Sequence, residues 1–144
     1  MAGTGRNQHG HTVALRPFLG AIGMPPAEPG RHSTIPPRGH GGNLDCRELA
    51  AGSTLWLPIP VDGALLSVGD GHAAQGDGEV SGTAIECPMA RVDLTVSTVD
   101  DYPVAGPVAR IPAGWVTMAV DVRVTQIVDE VVGAHAVLPP GALR

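Results

Sequence analysis

Gly69-Asp70-Gly71-His72-Ala73-Ala74-Gln75-Gly76-Asp77-Gly78-Glu79 sets four glycines among three carboxylates and one imidazole. Glycine leaves the main chain open to close approach by a ligand. A run this rich in glycine and charge is not expected to be a core strand; it reads as the rim of a site. In extended backbone, residues two apart share a face, so Asp70 pairs with His72 and Asp77 with Glu79. Ala73-Ala74-Gln75-Gly76 has the length of a hairpin loop. Folding there brings both pairs to one end of a sheet.

Working outward, the flanking segments predict short strands separated by Gly and Pro. Leu55–Val61 is strand-like, with Pro58 and Pro60 confining it to an edge or an irregular position. Val61-Asp62-Gly63-Ala64 is a turn before Leu65–Val68. Glu79–Glu86 follows, then Ala90–Ser97, which alternates apolar and polar like a half-buried strand, as does part of Trp115–Val124. Helix signals are scarce: Asp45–Leu49 can make one helical turn, and Val124–Val132 is ambiguous between strand and helix. This spacing predicts a mainly β chain with a β-sandwich or barrel core and few short helices. Residues 1–38, with Pro25-Pro26 and Pro36-Pro37, are expected to form an extended N-terminal arm in which only His11–Leu15 and Phe18–Met24 can be short strands. Residues 39–144 form the β domain.

Composition narrows the function classes. A chain of 144 residues fits one domain. No apolar stretch approaches the roughly 20 residues needed to cross a membrane. The N-terminal residues lack a secretory apolar run, so a cytoplasmic location is expected. A net charge of -5 disfavours nucleic acid. All nine basic residues are arginine, which excludes lysine-based Schiff-base or P-loop chemistry. With only four aromatic residues, the core is expected to rest on aliphatic side chains. Cys46 and Cys87 have no metal-type spacing and read as small buried hydrophobes; a nucleophilic Cys87 is the sharper alternative.

The imidazole and carboxylates suit zinc, manganese or another divalent ion, and zinc is the expected one. Such an ion lowers the pKa of bound water and polarises a carbonyl. Without an ion, a carboxylate can still act as general base. The plainer reading is that Asp-Gly pairs only make turns. An EF-hand loop and a phosphate cradle both match poorly. Asn43 and Asp45 can reach a site or cap a turn. Glu86 is either a general base or a strand-end charge. His135 reads as a packed histidine, and His9, His11, His32 and His40 as solvated.

Several stretches together resemble the acetamidase/formamidase family of amide hydrolases. They are Arg16–Gly23, Pro36-Pro37, Gly41-Gly42-Asn43-Leu44-Asp45, Ala51–Pro58, the continuous LLSVGDGHAAQGDGEVSGTAI of residues 65–85, Met118–Asp129 and Gly133–Ala136. The resemblance covers residues 12–140 and is closest to the C-terminal half of such an enzyme with an internal deletion near Thr117-Met118. It implies a jelly-roll-like β-sandwich, a homo-oligomer, and hydrolysis of a short linear amide to carboxylate and ammonia. It carries over Asn43, Asp45, Asp70, His72, Asp77, Glu79 and Glu86. Asp70, His72 and Asp45 are then expected as metal ligands, Asp77, Glu79 and Glu86 as catalytic groups, and Asn43 with Gln75 as substrate-binding groups. Two other readings are a non-catalytic remnant, or one subunit of a split amidase that needs a separately encoded N-terminal half. A third is a metal- or carboxylate-binding module without turnover.

Overall fold

The computed structural model describes residues 3–120, all of it strand, turn and loop with no helix among them. None of these residues forms a helix long and apolar enough to cross a membrane. A small hairpin joins β1 (Thr4–Arg6) to β2 (Thr12–Ala14). The central sheet contains β3 (Phe18–Gly23), β4 (Gly41–Asn43), β6 (Ser67–Ala74) and β7 (Ile85–Glu86) in the order β4-β3-β6-β7. A third sheet joins β5 (Thr54–Trp56), β8 (Val108–Ile111) and β9 (Gly114–Thr117). Every pairing is antiparallel. The chain is mainly β, as its turn spacing predicts.

β3 is apolar on both faces, the pattern of a strand covered on each side. It comes from the stretch expected as an arm, yet it lies inside the sheet and contributes buried Phe18 and Leu19. Met24, Leu49, Ala74, Val108 and Ala109 complete the buried apolar set, so the core includes a phenylalanine and a methionine beside its aliphatic members. The other three aromatics gather at the third sheet. Trp56 stacks on Trp115 with ring centroids 5.5 Å apart, and Tyr102 meets Trp56 edge-on at 5.6 Å.

Several local expectations are corrected. The glycine-rich run does not begin as a rim loop: Gly69–Ala74 belongs to β6, the longest strand among the described residues, between β3 and β7. Missing side chains allow this. A Cβ on Gly71 would lie 2.5 Å from the Cys87 carbonyl oxygen, so only glycine lets that segment close over the sheet. The loop therefore starts at Gln75, later than Ala73. Strand structure ends at Trp56 before the prolines, and only Ile85–Glu86 pairs out of Glu79–Glu86. Residues 90–97 form no strand; Val92, Leu94 and Val96 are all exposed, because alternation alone supplies no partner. The turn at Ala64 forms; over Asp45–Leu49 the Leu49 N–H donates to the Cys46 carbonyl and closes a turn, but no helix. Both thiols are half-buried. Val124–Val132 and His135 lie outside the described residues.

Candidate functional site

The site grows from the pairing of β3 with its two neighbours. Phe18 faces His72 and Leu19 faces Gly71, which sets Gly20 opposite Asp70. On the other side, the Gly20 carbonyl accepts hydrogen bonds from the N–H groups of Leu44 (2.9 Å) and Asp45 (3.1 Å). Gly20 thus sits between two carboxylates: a Cβ there would collide with Asp70 Oδ2 and lie 2.7 Å from Asp45 Oδ1. Both acids adopt left-handed backbone, Asp45 at φ 45° and Asp70 at φ 59°. Aspartate tolerates this better than most residues, but it costs of order 1 kcal/mol each, and such strain is found where side chains must be aimed.

His72 is wholly buried, its ring edge-on to Phe18 at 4.9 Å between centroids. On β7, Glu86 stands in register with His72. The result is two overlapping sets of potential ligand atoms. Asp45, His72 and Glu79 form a partly buried set, and Asp70, His72 and Glu86 a more exposed one; within each set the atoms lie within 4.8 Å of one another. Asp70 and His72 share a face, as strand periodicity predicts, and Asp70 Oδ2 lies 3.3 Å from His72 Nε2. That approach is an ion-pair distance without hydrogen-bond direction, so Nε2 has no hydrogen-bond partner among the described residues; nor has Asp45 Oδ1.

Other polar atoms around the cluster are engaged with one another. Asn43 Nδ2 donates to Asp45 Oδ2 at 2.9 Å. Gln75 Nε2 donates to the Asp45 carbonyl at 2.6 Å, and its Oε1 lies 2.9 Å from His72 Nδ1. Asp77, unlike Glu79, points to solvent, where it pairs with Arg47. Cys46 Sγ donates to Glu48 at 3.6 Å, and burial pushes the thiol pKa up, which is unsuited to a nucleophile. An open cleft of about 440 Å³, lined in part by Asn43, Asp45, Asp77 and Glu79, leads to this cluster.

Asp45 has its pKa raised to about 6, first by burial and then by the Glu79 and Asp70 carboxylates, against the pull of His72. Burial draws the His72 pKa down, but its bond to Gln75 and the charges of Asp70, Glu79 and Asp45 outweigh this and raise it. In metal-free protein, Asp45 keeps its proton up to about pH 6 when folded and releases it near the ordinary aspartate value of 3.8 when unfolded. Folding therefore takes up a proton between those values, and this group's stabilising contribution falls as pH rises through them. Asp45→Asn is expected to melt at a higher temperature than wild type at pH 7 in the presence of a chelator. The gain should vanish on acidification to about pH 4. A gap constant across that range would contradict the charge-crowding account.

Buried, unpartnered Asp45 Oδ1 and His72 Nε2, with Glu79 close by, are the donor set that a divalent cation satisfies. Residues 11–113 match the model of the Acetamidase/Formamidase family. The chain belongs to this family. Among curated relatives, the formamidase of Methylophilus methylotrophus is 38% identical over 79 residues, 52% of this chain and 19% of that one. The acetamidase of Mycolicibacterium smegmatis is 50% identical over 48 residues, 33% of this chain and 12% of that one. A crystal structure of a predicted acetamidase/formamidase from Thermoanaerobacter tengcongensis superimposes with TM-score 0.74 and 29% identity, covering 90% of this chain and 42% of that one. The acetamidase of Yersinia enterocolitica gives TM-score 0.68 and 25% identity, covering 87% and 37%. These matches thus span less than half of each related protein's length.

Within this acetamidase/formamidase fold, sequence reasoning missed three contributors. Gly20 left one signal, a glycine inside an apolar strand, which marks close backbone approach. Phe18 and Arg47 left none, since their contacts arise only on folding.

Proposed function

We propose that this chain carries the hydrolytic site of a short-amide hydrolase, cleaving a linear amide to carboxylate and ammonia at a divalent-ion centre. The observation behind this is the convergence of Asp45, Asp70, His72, Glu79 and Glu86, with two buried atoms left unpartnered. The reading also draws on family membership and on the names of the relatives. Asp45, His72 and Glu79 would hold the ion, and their mixed imidazole and carboxylate donors suit zinc. When bound, the ion supplies Lewis-acid polarisation of the amide carbonyl and makes water more acidic.

The chain's own groups do the rest. Glu86 or Asp70, on the exposed side, accepts a proton from the attacking water as its oxygen bonds to the carbonyl carbon. The same carboxyl returns the proton to nitrogen as the C–N bond breaks, so ammonia leaves and the acid remains. Asn43 keeps Asp45 Oδ2 occupied and so aims Oδ1 inward. Asp77 anchors Arg47 at the rim.

Purified protein is expected to contain about one equivalent of zinc and to release ammonia from formamide or acetamide, with loss of activity on chelation. Metal content near zero together with no ammonia release, even after zinc is added, would overturn this function. The split-amidase reading is favoured by one observation, the exposure of Val92, Leu94 and Val96 within one segment. On that reading, turnover appears only when a separately encoded N-terminal half is supplied.

A further inference from the structure

The amide of Gln75 makes two contacts at once. Its Nε2 lies 2.6 Å from the main-chain carbonyl of Asp45, 30 residues away in sequence. A carbonyl oxygen only accepts, so the NH₂ end of the amide must point there. The end facing His72 Nδ1 at 2.9 Å is then Oε1, which also only accepts. His72 must therefore carry a hydrogen on Nδ1. That places the variable position of the imidazole at Nε2, the buried atom without a hydrogen-bond partner, 3.3 Å from Asp70.

We propose that Gln75 is a positioning residue: it fixes the Nδ1–H form of His72 and so reserves the Nε2 lone pair for a cation. By the same side chain it ties the end of β6 to the main chain of Asp45, so the two ligands with unpartnered atoms are spaced by one amide. Imidazole ligands are commonly held in this way through their second nitrogen, and losing the outer partner typically costs about 10–100-fold in metal affinity. This assigns Gln75 to the ion site and away from the substrate, the role that its place in the glycine-rich run suggests. The inference rests on reading the acid and imidazole cluster as a cation site.

The test combines long-range ¹H–¹⁵N NMR of the histidine rings with zinc titration of the full chain. In metal-free wild type at a pH where His72 is neutral, Nδ1 is expected to show the protonated shift and Nε2 the unprotonated one. Gln75→Leu should lose this preference and bind zinc about 10–100-fold more weakly. Gln75→Glu, which still offers an acceptor to Nδ1 but has no NH₂ to give the Asp45 carbonyl, should keep the ring form and bind zinc more weakly than wild type yet more tightly than Gln75→Leu. A neutral His72 protonated on Nε2 in wild type overturns the proposal without touching the metal reading, and needs no variant to fold. Unchanged zinc affinity in Gln75→Leu, with a raised KM for the amide, overturns it in favour of substrate binding. The Nδ1–H form in a protein that takes up no zinc upholds the ring assignment and sinks the metal reading instead.

Discussion

His72→Ala is expected to abolish zinc uptake and to lower the melting temperature by roughly 10 °C. The ring is wholly buried between Phe18 and a cluster of carboxylates, so its removal leaves a cavity that the sheet cannot close. Cavity formation together with the lost Gln75 bond amounts to about 2–4 kcal/mol. The affinity loss should exceed the roughly 10–100-fold typical of an outer partner, because His72 supplies a ligand atom to both possible ligand sets. Calorimetric zinc titration and thermal melts measure the two effects. His72→Gln separates them, since it restores most of the volume without an imidazole nitrogen: stability should largely return and zinc binding should not. Wild-type zinc affinity in His72→Ala would remove this cluster as the metal centre.

Gly20→Ala and Gly23→Ala, three residues apart on one strand, should fail in different ways. At Gly23 the added Cβ runs into the Gly42 nitrogen and lies 2.7 Å from the Gly41 carbonyl carbon, both main-chain atoms of the paired strand. Neither can rotate aside, so the β3–β4 ladder must part, at a cost of about 3 kcal/mol. At Gly20 the added carbon meets the carboxylate oxygens of Asp70 and Asp45, which can swing away. Gly20→Ala is therefore expected to stay folded, with a melting temperature close to wild type, and to lose zinc binding and ammonia release because the two acids are pushed apart. Equal losses of stability in the two variants would contradict this division between fold and site.

The stretch from Gly69 to Glu79 shows how far local reading extends. Period-two geometry put Asp70 and His72 on one face, and they meet there. The same geometry extended to Asp77 and Glu79 did not hold, because the chain has already left the strand: Asp77 faces Arg47 in solvent while Glu79 turns toward Asp45. Alternation over Ala90–Ser97 suggested a half-buried strand, but hydrophobic spacing marks which side chains would share a face and says nothing of whether another strand is there to cover them. Gln75 was legible as a polar residue in the run, but not its reach to a carbonyl 30 residues earlier.

By itself the sequence determined the chemical inventory: one imidazole among carboxylates, glycines that permit close strands, no lysine, and prolines that hold the strands short. Family membership was equally legible, since its motifs are contiguous. Tertiary structure alone decided which acids join His72. Asp45 arrives from the far side of β3 and Glu86 on β7, and both placements depend on cross-strand register. Register is set by packing between segments distant in sequence, where a shift of one residue would turn every side chain to the opposite face. Local periodicity carries no record of that choice.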